Sequence, residues 1–377
     1  MSPPHDTAIL GAGIMGASTA LFLARSGMDC ALLDRAGICR EASGVNAGTL
    51  TLNMTRAALI PYALRGWAMW SNPLPWLGSD PGVVATDGLS LAFTDAEVAL
   101  LESRAAARQE RGADIRLLDG TAARHIEPGL SPHVLRAAHC PQDGHVTAYL
   151  TGRAYRQALV EAGVHLHETA DITGIDRRGG LFEVRTGNDP IRARRLVLAG
   201  GVWLETMLGW LDVKIPIKTL VNQLIVTERM HPVMRSVLSV ANGLLSLKQF
   251  ANGTVLIGGG WQGRGDRDSR ETALIPENLI GNVRLARHAI PALAGTRVVR
   301  AWAGFEAETA DALPLIGPLP GVTDAHVIGS VHSGYTSGPY FGKLLAQQLL
   351  GQAPELPLAD FHPARLLPVR ATEMSTP

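Results

Sequence analysis

The chain has 377 residues, a length that is typical of two domains rather than one. Hydrophobic residues make up 46% of the chain and charged residues 18%, which favours a large buried core and argues against disorder. Lysine plus arginine and aspartate plus glutamate both number 34, so no basic excess indicates a nucleic-acid partner.

The first elements form a predicted βαβ unit. Residues 6–10 have the pattern of a short buried strand, and residues 14–26 have that of a helix that stops at Gly27. Residues 29–33 then form a second strand, which ends in Asp34. Strand, glycine turn, helix and strand fit within about 30 residues, which is the usual length of a βαβ unit.

Helical and strand-rich segments alternate along the rest of the chain. Further helices are predicted over residues 95–112, 151–163, 277–289 and 338–350, of which the first has the charge pattern of a surface helix. Further strands are predicted over residues 164–167, 171–176, 181–186, 194–199, 220–227 and 254–258, with a hairpin turn at Gly179-Gly180. This order predicts an α/β fold in which two domains are built from interleaved pieces. One domain takes residues 1–85, 141–210 and 300–377, and the other takes residues 86–140 and 211–299.

A glycine motif opens the first predicted helix. Residues 11–16 read GAGIMG and fit the pattern G-x-G-x-x-G. Gly11 permits the tight turn, Gly13 lets a pyrophosphate approach the backbone, and Gly16 lets helix and strand pack closely. Asp34 can bind ribose hydroxyls, and Arg35 either touches the adenosine or is a solvated charge. The alternative is a glycine-rich turn that binds nothing. The predicted dinucleotide contacts of this unit are Gly11, Gly13, Ile14, Met15, Gly16, Asp34 and Arg35.

Five later segments resemble the D-amino acid oxidase/glycine oxidase (DAO) superfamily of flavoproteins. Residues 40–48 (REASGVNAG) resemble the segment that wraps the pyrophosphate and flavin. Residues 143–146 (DGHV) and 196–203 (LVLAGGVW) are similar to the family's DGxV turn and its VVxAxGxW strand. Residues 311–317 (DALPLIG) match DxxPxIG, and residues 332–339 (HSGYTSGP) resemble the C-terminal flavin loop. Together the segments follow the family's order over the whole chain.

The resemblance implies FAD as the cofactor and a glutathione-reductase-like Rossmann domain. A second domain with a mixed sheet would cover the flavin and bind the substrate. Backbone N–H groups of the C-terminal loop would face the pyrimidine edge of the flavin and stabilise negative charge on the reduced ring. The further FAD contacts that the resemblance implies are Ser43, Gly44, Asn46, Ala47, Gly48, Leu50, Ile172, Ala199, Gly200, Trp203, Gly304, His332, Ser333, Gly334, Tyr335 and Thr336.

Within the superfamily, residues 42–48 and 302–306 are most similar to catalytic beta subunits of heteromeric bacterial dehydrogenases. These are the octopine/nopaline oxidase, D-hydroxyproline dehydrogenase and hydrogen cyanide synthase types. The resemblance implies other subunits as partners and transfer of electrons to an acceptor that in such subunits is often not oxygen. It also leaves open an additional FMN at a subunit interface. The aromatic stretch Trp67, Trp70 and Trp76 is expected to be core or, where exposed, subunit contact.

One position departs from the family. Glycine-oxidase-like members carry a carboxylate-binding arginine where this chain has Glu306, so the carboxylate must be bound elsewhere or the substrate presents a cation here. His332 and Tyr335 would lie beside the flavin if the loop resemblance holds, or would be satisfied within the protein. The predicted catalytic residues are His332, Tyr335 and Glu306. The predicted substrate-binding residues are Lys248, Arg264, Glu306 and Tyr335, with Arg267 as a further candidate for the carboxylate.

These residues predict the oxidation of a C–N bond in an amino acid or an amino-acid derivative, such as an opine, a D-amino acid or a hydroxyproline-like secondary amine. A hydride would pass to flavin N5, and the imine would be hydrolysed in water. Two alternatives remain at this stage. One is a stand-alone glycine or D-amino acid oxidase that produces hydrogen peroxide, and the other is a non-catalytic flavoprotein subunit that relays electrons.

Cysteine and histidine patterns predict neither disulfides nor a metal site. Cys30, Cys39 and Cys140 match no zinc or redox spacing. Their odd number, with no signal peptide or apolar span in the sequence, indicates a reducing cytoplasm; attachment at the periphery of the inner membrane is left open. His165 and His167 alternate on a predicted strand, but no third ligand is apparent.

Overall fold

The computed structural model describes residues 3–332 and 334–367. The helices are α1 (Ile14–Arg25), α2 (Ala42–Val45), α3 (Ile60–Ser71), α4 (Leu74–Leu77), α5 (Asp95–Gln109), α6 (Gly120–Ile126), α7 (Ala148–Glu161), α8 (Leu204–Gly209), α9 (Pro276–Ala289) and α10 (Gly338–Leu349). The strands are β1 (His5–Leu10), β2 (Cys30–Asp34), β3 (Thr49–Leu50), β4 (Val84–Ala92), β5 (Arg116–Asp119), β6 (Arg136–His145), β7 (His165–Glu168), β8 (Gly174–Arg178), β9 (Leu181–Arg185), β10 (Ile191–Leu198), β11 (Lys218–Thr227), β12 (Val237–Val240), β13 (Ser246–Gln249), β14 (Val255–Gly258), β15 (Arg264–Asp266), β16 (Glu271–Ala273), β17 (Val298–Glu308), β18 (Leu315–Pro318) and β19 (Ala325–Gly329).

The first sheet carries the N-terminal βαβ unit. Its strand order is β18-β19-β10-β1-β2-β7, and β8 and β9 form a hairpin that pairs with β10. Strand β1 runs parallel to both β2 and β10. Helix α1 leads to β2 on one side of β1, and β10 lies on the other side of β1. A crevice for ligands is expected at the carboxyl ends of two such strands. Gly11 and Ala199 follow the ends of β1 and β10 and therefore lie at this crevice.

Helix α1 packs against the last helix, α10. Two glycines permit the close approach, because an added Cβ at Gly342 would lie 2.4 Å from Ser18 Cβ, and one at Gly338 would lie 2.8 Å from Ile14 Cγ2. Phe341 is fully buried at this contact. The packing fixes α10, and with it the loop that precedes α10, over the amino end of α1.

The second sheet is larger and forms the other wall of the interior. Its order is β17-β11-β14-β13-β12-β4-β6-β3, with β5 on β6. One face is packed by an apolar cluster that includes Leu89, Leu238 and Ala286 of α9. Polar side chains alternate onto the other face, among them Ser90 and Ser239. Helix α5 follows β4 and covers this second face at one end, where Leu101 is buried.

The α/β fold with a mixed second sheet is confirmed by the structure. Strands β3 and β17 belong to the second sheet, although the predicted boundaries place residues 49–50 and 300–308 in the first domain, so the exact division remains a prediction. The described residues contain no helix that is long and apolar enough to cross a membrane.

The aromatic stretch differs from one expectation. Trp67 and Trp76 are 7% exposed and Trp70 is fully buried, so these rings do not form an exposed contact surface. They belong to the core between α3, α7 and α10, because Trp76 packs edge-on against both Trp70 and Tyr155. The expectation that they are core residues is therefore confirmed, and the alternative of an exposed interface at these rings is wrong.

Candidate active site

A cavity of about 910 Å³ lies between the two sheets. Its floor is formed by the crevice at β1 and β10, and its far wall by the polar face of the second sheet. The segment over residues 40–57 and the loop before α10 form further parts of the lining. The cavity therefore meets both the glycine motif and the second domain.

The glycine motif forms an open cradle at the amino end of α1. Gly11 has φ +111°, and a Cβ there would lie 2.3 Å from the Ala199 carbonyl oxygen. A Cβ at Gly16 would lie 2.0 Å from the Gly11 carbonyl oxygen, so both glycines are required by the protein's own packing. The N-cap residue Gly13 provides no side-chain cap, and the first turn carries no acidic residue. The positive end of the helix dipole thus faces the cavity with no acidic side chain in the first turn of α1, which fits a dinucleotide pyrophosphate.

The segment over residues 40–48 is fastened to this cradle. Ser43 Oγ accepts a hydrogen bond from the Ile14 amide at 3.0 Å. Trp302 Nε1 on β17 donates to the Val45 carbonyl oxygen at 2.8 Å. A Cβ at Gly304 would lie 2.3 Å from Val45 Cγ2. The segment therefore bridges the two sheets, as a strap around a cofactor would.

Asp34 and Arg35 form one end of the cavity. The Asp34 carboxylate accepts hydrogen bonds from the amides of Ala12 and Gly37 at 2.8 and 2.9 Å, which fixes its position at the end of β2. The Arg35 guanidinium lies 3.3 Å above the ring of Trp203 and bonds to Glu41 at 2.9 Å. This end offers a fixed acceptor for ribose hydroxyls and a flat cationic surface suited to an adenosine.

Most predicted site residues are brought together here. Leu50 and Thr336 lie behind the lining, because Leu50 is fully buried and the Thr336 hydroxyl accepts the Thr51 amide at 3.0 Å. Gly44 and Gly48 likewise support the wall through close contacts with the Cys39 and Val146 carbonyls. Ser333 lies outside the described residues. The predicted residues that line the cavity are Gly11, Gly13, Ile14, Met15, Gly16, Asp34, Arg35, Ser43, Asn46, Ala47, Ile172, Ala199, Gly200, Trp203, Gly304, Glu306, His332, Gly334 and Tyr335.

A polar network joins the loop before α10 to the second sheet. His332 Nδ1 donates to Glu306 Oε2 at 2.7 Å, and the Asn222 side-chain amide donates to the same oxygen. Gln262 Nε2 then donates to Asn222 Oδ1 at 2.5 Å. Burial lowers the pKa of His332, but the hydrogen bond and charge of Glu306 outweigh it, so the net pKa is raised. Glu306 is therefore held between the His332 ring and the side-chain amide of Asn222 on β11.

Tyr335 is oriented toward the core. Its ring stacks on Trp70 with centroids 5.6 Å apart, and Trp70 Nε1 donates to the Tyr335 and Thr336 carbonyl oxygens at 3.3 and 3.2 Å. Burial raises the pKa of the Tyr335 phenol far above its usual range. The tyrosine thus anchors the loop, and its assignment to catalysis or substrate binding stays a prediction.

The three cations predicted to bind a carboxylate lie off the cavity lining. Lys248 is 1% exposed and donates to the Thr49 hydroxyl. Arg264 is exposed on the β15–β16 hairpin. Arg267 bonds to Glu205 at 2.5 Å and to the Val202 carbonyl at 3.2 Å, so its charge is already satisfied. Their contacts favour structural roles over substrate binding.

Burial of Lys248 should make the stability of the protein depend on pH. Burial lowers its pKa from 10.5 to about 7, so the folded protein binds fewer protons than the unfolded chain between those values. The free energy of unfolding should therefore rise with pH across this window. We expect Lys248→Met to remove that rise and to stabilise the protein at pH 7 by roughly 1–3 kcal/mol, as measured by urea unfolding at several pH values. Lys214→Met, at an exposed lysine, is the matched control. If the free energy of unfolding of Lys248→Met rises with pH as it does in the wild type, burial of Lys248 is not the cause of that rise.

The sequence did not identify Arg56, Arg104, Arg108 and Arg270 as cavity residues. Arg56 bonds to Glu308 at 2.8 Å and to the His332 carbonyl oxygen at 3.2 Å. Arg104 and Arg108 reach the cavity from α5. A signal was present, because both lie on the helix face that carries Leu101 and Ala105, where a surface helix has apolar residues.

Possible metal ligands lie together at the surface outside the cavity, namely His5, Asp29 and His165. His5 Nδ1 and His165 Nε2 lie 2.8 and 3.0 Å from the two oxygens of Asp29. These mutual contacts account for the arrangement, and the rings of His5 and His165 also pack against each other, tilted by 50° with centroids 4.8 Å apart. The expectation of no metal site stays a prediction.

Comparison with known proteins places this geometry in a family. The sequence model of the family described as "DAO: FAD dependent oxidoreductase" matches residues 6–348. An opine oxidase subunit of Agrobacterium tumefaciens (strain Ach5) is 26% identical over 374 residues, with 96% of this chain and 97% of that protein covered. The hydrogen cyanide synthase subunit HcnC of Pseudomonas protegens is 27% identical over 402 residues, with 95% of each chain covered.

Solved structures share the fold over nearly the whole chain. The crystal structure of glycine oxidase from Geobacillus kaustophilus superposes with a TM-score of 0.88 at 23% identity, covering 96% of this chain and 98% of that chain. L-proline dehydrogenase from P. horikoshii gives a TM-score of 0.88 at 21% identity, covering 97% and 98%. At these identities the likeness establishes the fold alone.

Proposed function

Since this chain belongs to the DAO family of FAD dependent oxidoreductases, we propose that it oxidises the C–N bond of an amino acid or amino-acid derivative. The carbon loses a hydride and the nitrogen loses a proton, which leaves an imine that water hydrolyses. The observation that carries the proposal is the shared cavity in which the Gly13 cradle and the His332–Glu306 pair face a common space. Relatives named for opine and glycine oxidation support the amine class.

The residues of the cradle fit FAD by position and charge. Gly13 and the amino end of α1, where the Ile14 amide donates to Ser43, would hold the pyrophosphate, and Asp34 would accept ribose hydroxyls. Backbone amides near Gly334, at the end of the loop before α10, would face the flavin ring. When bound, FAD supplies the two-electron acceptor. The described residues and the reported relatives give an additional FMN no support, and it is not part of our proposal.

The polar network would bind and orient the reacting amine. Glu306 carries negative charge at the cavity and stabilises a cationic nitrogen, while it disfavours a carboxylate at the same place. Asn222 and His332 fix the carboxylate of Glu306 in one direction. Since Nδ1 is bonded to Glu306, we propose that Nε2 is the ring nitrogen of His332 that contacts the ligand. Tyr335 acts through the loop it anchors. In this arrangement the protein supplies orientation and charge rather than a strong acid or base.

An anaerobic screen tests the proposal. The purified holoenzyme is mixed, without oxygen, with opines, D-amino acids, proline derivatives and glycine, and the loss of the yellow flavin absorbance is followed. We expect at least one of these amines to bleach the flavin fully within seconds to minutes and to yield a carbonyl product. Full retention of oxidised flavin with every amine, while dithionite reduces it, would contradict catalysis and favour the electron-relay alternative.

The chain is proposed to work as one component of a cytoplasmic heteromeric dehydrogenase, with no claim of attachment to a membrane. Support comes from the relatives that are named as subunits. We expect co-expression with neighbouring genes to give a larger particle by light scattering, with faster transfer of electrons to an artificial acceptor than to oxygen. A stable monomer with full activity towards oxygen would contradict the complex and favour the stand-alone oxidase.

A further inference from the structure

Helix α5 presents two arginines to the cavity. Arg104 and Arg108 are four residues apart, so their side chains lie on one face of the helix. Arg108 is 9% exposed, whereas Arg104 is exposed and its Nη1 donates to the Ala241 carbonyl oxygen at 2.6 Å. Arg104 thus stands at an opening of the cavity, and Arg108 lies further inside.

The inner arginine has no anion within reach. Arg108 Nε donates to the Thr55 carbonyl oxygen at 2.7 Å, and no carboxylate of the described residues lies within 4.0 Å of the guanidinium. Asp143 acts on Arg108 only at longer range, since its oxygens accept from the Thr51 hydroxyl and the Leu52 amide. Burial and the charge of Arg104 lower the pKa of Arg108 to about 10, so Arg108 remains a cation at neutral pH.

Unlike Arg108, the neighbouring Arg56 has an anionic partner. Arg56 also reaches the cavity, but Glu308 neutralises it at 2.8 Å. A buried cation without a partner costs free energy, and such sites are usually completed by an anion. The planar guanidinium, with several N–H donors in a fixed fork, matches the geometry of a carboxylate.

We propose that Arg104 and Arg108 form an anion subsite that binds a carboxylate of the substrate. Arg104 captures the anion at the opening, and Arg108 holds it inside the cavity. The assignment of the anion to an amine substrate rests on the proposed function, but the subsite itself does not. Arg104 and Arg108 are therefore specificity-determining residues, which favour the carboxylate-bearing amines of the proposed function over amines without an acidic group.

This subsite lies on a different helix from the cofactor cradle, because the arginines belong to α5 and the cradle opens α1. Arg108 belongs to the helix that covers the second sheet, and it contacts Thr55, which precedes Arg56 in the segment that reaches the His332 carbonyl. Arg108 and His332 therefore both contact the segment of Thr55 and Arg56, and both line the cavity. A substrate placed between them would have its carboxylate at α5 and its nitrogen towards Glu306, whose charge repels a carboxylate.

Binding of simple anions to the holoenzyme tests the subsite without turnover. Acetate, benzoate and glutarate are each titrated against the corresponding neutral amide, with calorimetry and the flavin absorption spectrum as readouts. We expect the carboxylates to bind more tightly than the amides. Arg108→Met should weaken them on the order of 10- to 100-fold, and Arg104→Met should weaken them less. Arg108→Lys should restore part of the affinity, and Arg116→Met, at a surface arginine paired with Asp114, should change nothing.

Several outcomes would overturn the subsite. The proposal fails if folded Arg108→Met and Arg104→Met both bind carboxylates with wild-type affinity. It also fails if Arg108→Met loses FAD while Arg104→Met binds anions normally. If Arg108→Met does not fold, Arg104→Met and Arg108→Lys still decide, because unchanged affinity in both contradicts the proposal. If no amine reduces the flavin but arginine-dependent carboxylate binding persists, the proposed function fails and the subsite stands.

Discussion

Gly13→Val should abolish FAD retention while the protein keeps its fold. The backbone at Gly13 has φ −64° and ψ 171°, a conformation that valine adopts without strain. An added Cβ would meet only the Ser43 hydroxyl, at 3.3 Å, so a small shift of that hydroxyl is enough to admit the Cβ. The methyl groups would instead occupy the space of the pyrophosphate. The measurement is the ratio of flavin absorbance to protein after desalting, with circular dichroism as the check on folding.

Substitutions at two other glycines serve as comparison variants in this experiment. Gly187→Val lies in open space outside the cavity and should retain FAD at the wild-type ratio. Gly11→Val should instead impair folding, because its Cβ would lie 2.3 Å from the Ala199 carbonyl oxygen at φ +111°. A stoichiometric, tightly bound flavin in Gly13→Val would exclude the cradle as the pyrophosphate site.

Glu306→Gln should separate substrate binding from cofactor binding. The substitution keeps the shape of the side chain and leaves it within hydrogen-bonding distance of Asn222. It removes the negative charge beside His332. Loss of a charged contact with the substrate amine should cost about 2–5 kcal/mol, which corresponds to substrate binding weaker by roughly 30-fold or more. Flavin content should remain normal.

The pH dependence gives a second readout of the same variant. Because Glu306 raises the pKa of His332, its neutralisation should lower that pKa. The step in the pH profile of anaerobic flavin reduction that belongs to His332 should therefore move to lower pH. Glu271→Gln, at an exposed position on β16, is the matched control. Unchanged kinetics and an unchanged pH profile in Glu306→Gln would assign Glu306 to the scaffold.

The cofactor half of the site could be predicted because its residues are close in the sequence. Gly11, Gly13 and Gly16 lie within one turn and one helix start, and Asp34 ends the next strand. Their roles follow from local backbone geometry, which the sequence pattern specifies. The structure accordingly places all four at the cavity.

The substrate half depends on contacts between distant segments. Glu306 meets Asn222 because β17 pairs with β11 in one register, 84 residues apart in sequence. Arg108 is buried because α5 folds back over the second sheet, and no local pattern determines which face of the sheet it covers. The charge of Lys248 favours a carboxylate ligand, but its position on β13 buries it next to Thr49. Residue type alone could not distinguish these outcomes.

The most direct test of C–N oxidation is anaerobic single-turnover reduction of the bound flavin by an amine deuterated at the carbon that carries the nitrogen. The substrate is the amine that bleaches the flavin in the screen, and the comparison is the same amine deuterated at a remote carbon. Our account predicts severalfold slower bleaching with deuterium at the first carbon, no change with deuterium at the remote carbon, and one carbonyl product per flavin. Equal rates for both labelled amines at saturating concentration, with no carbonyl product formed, would contradict it.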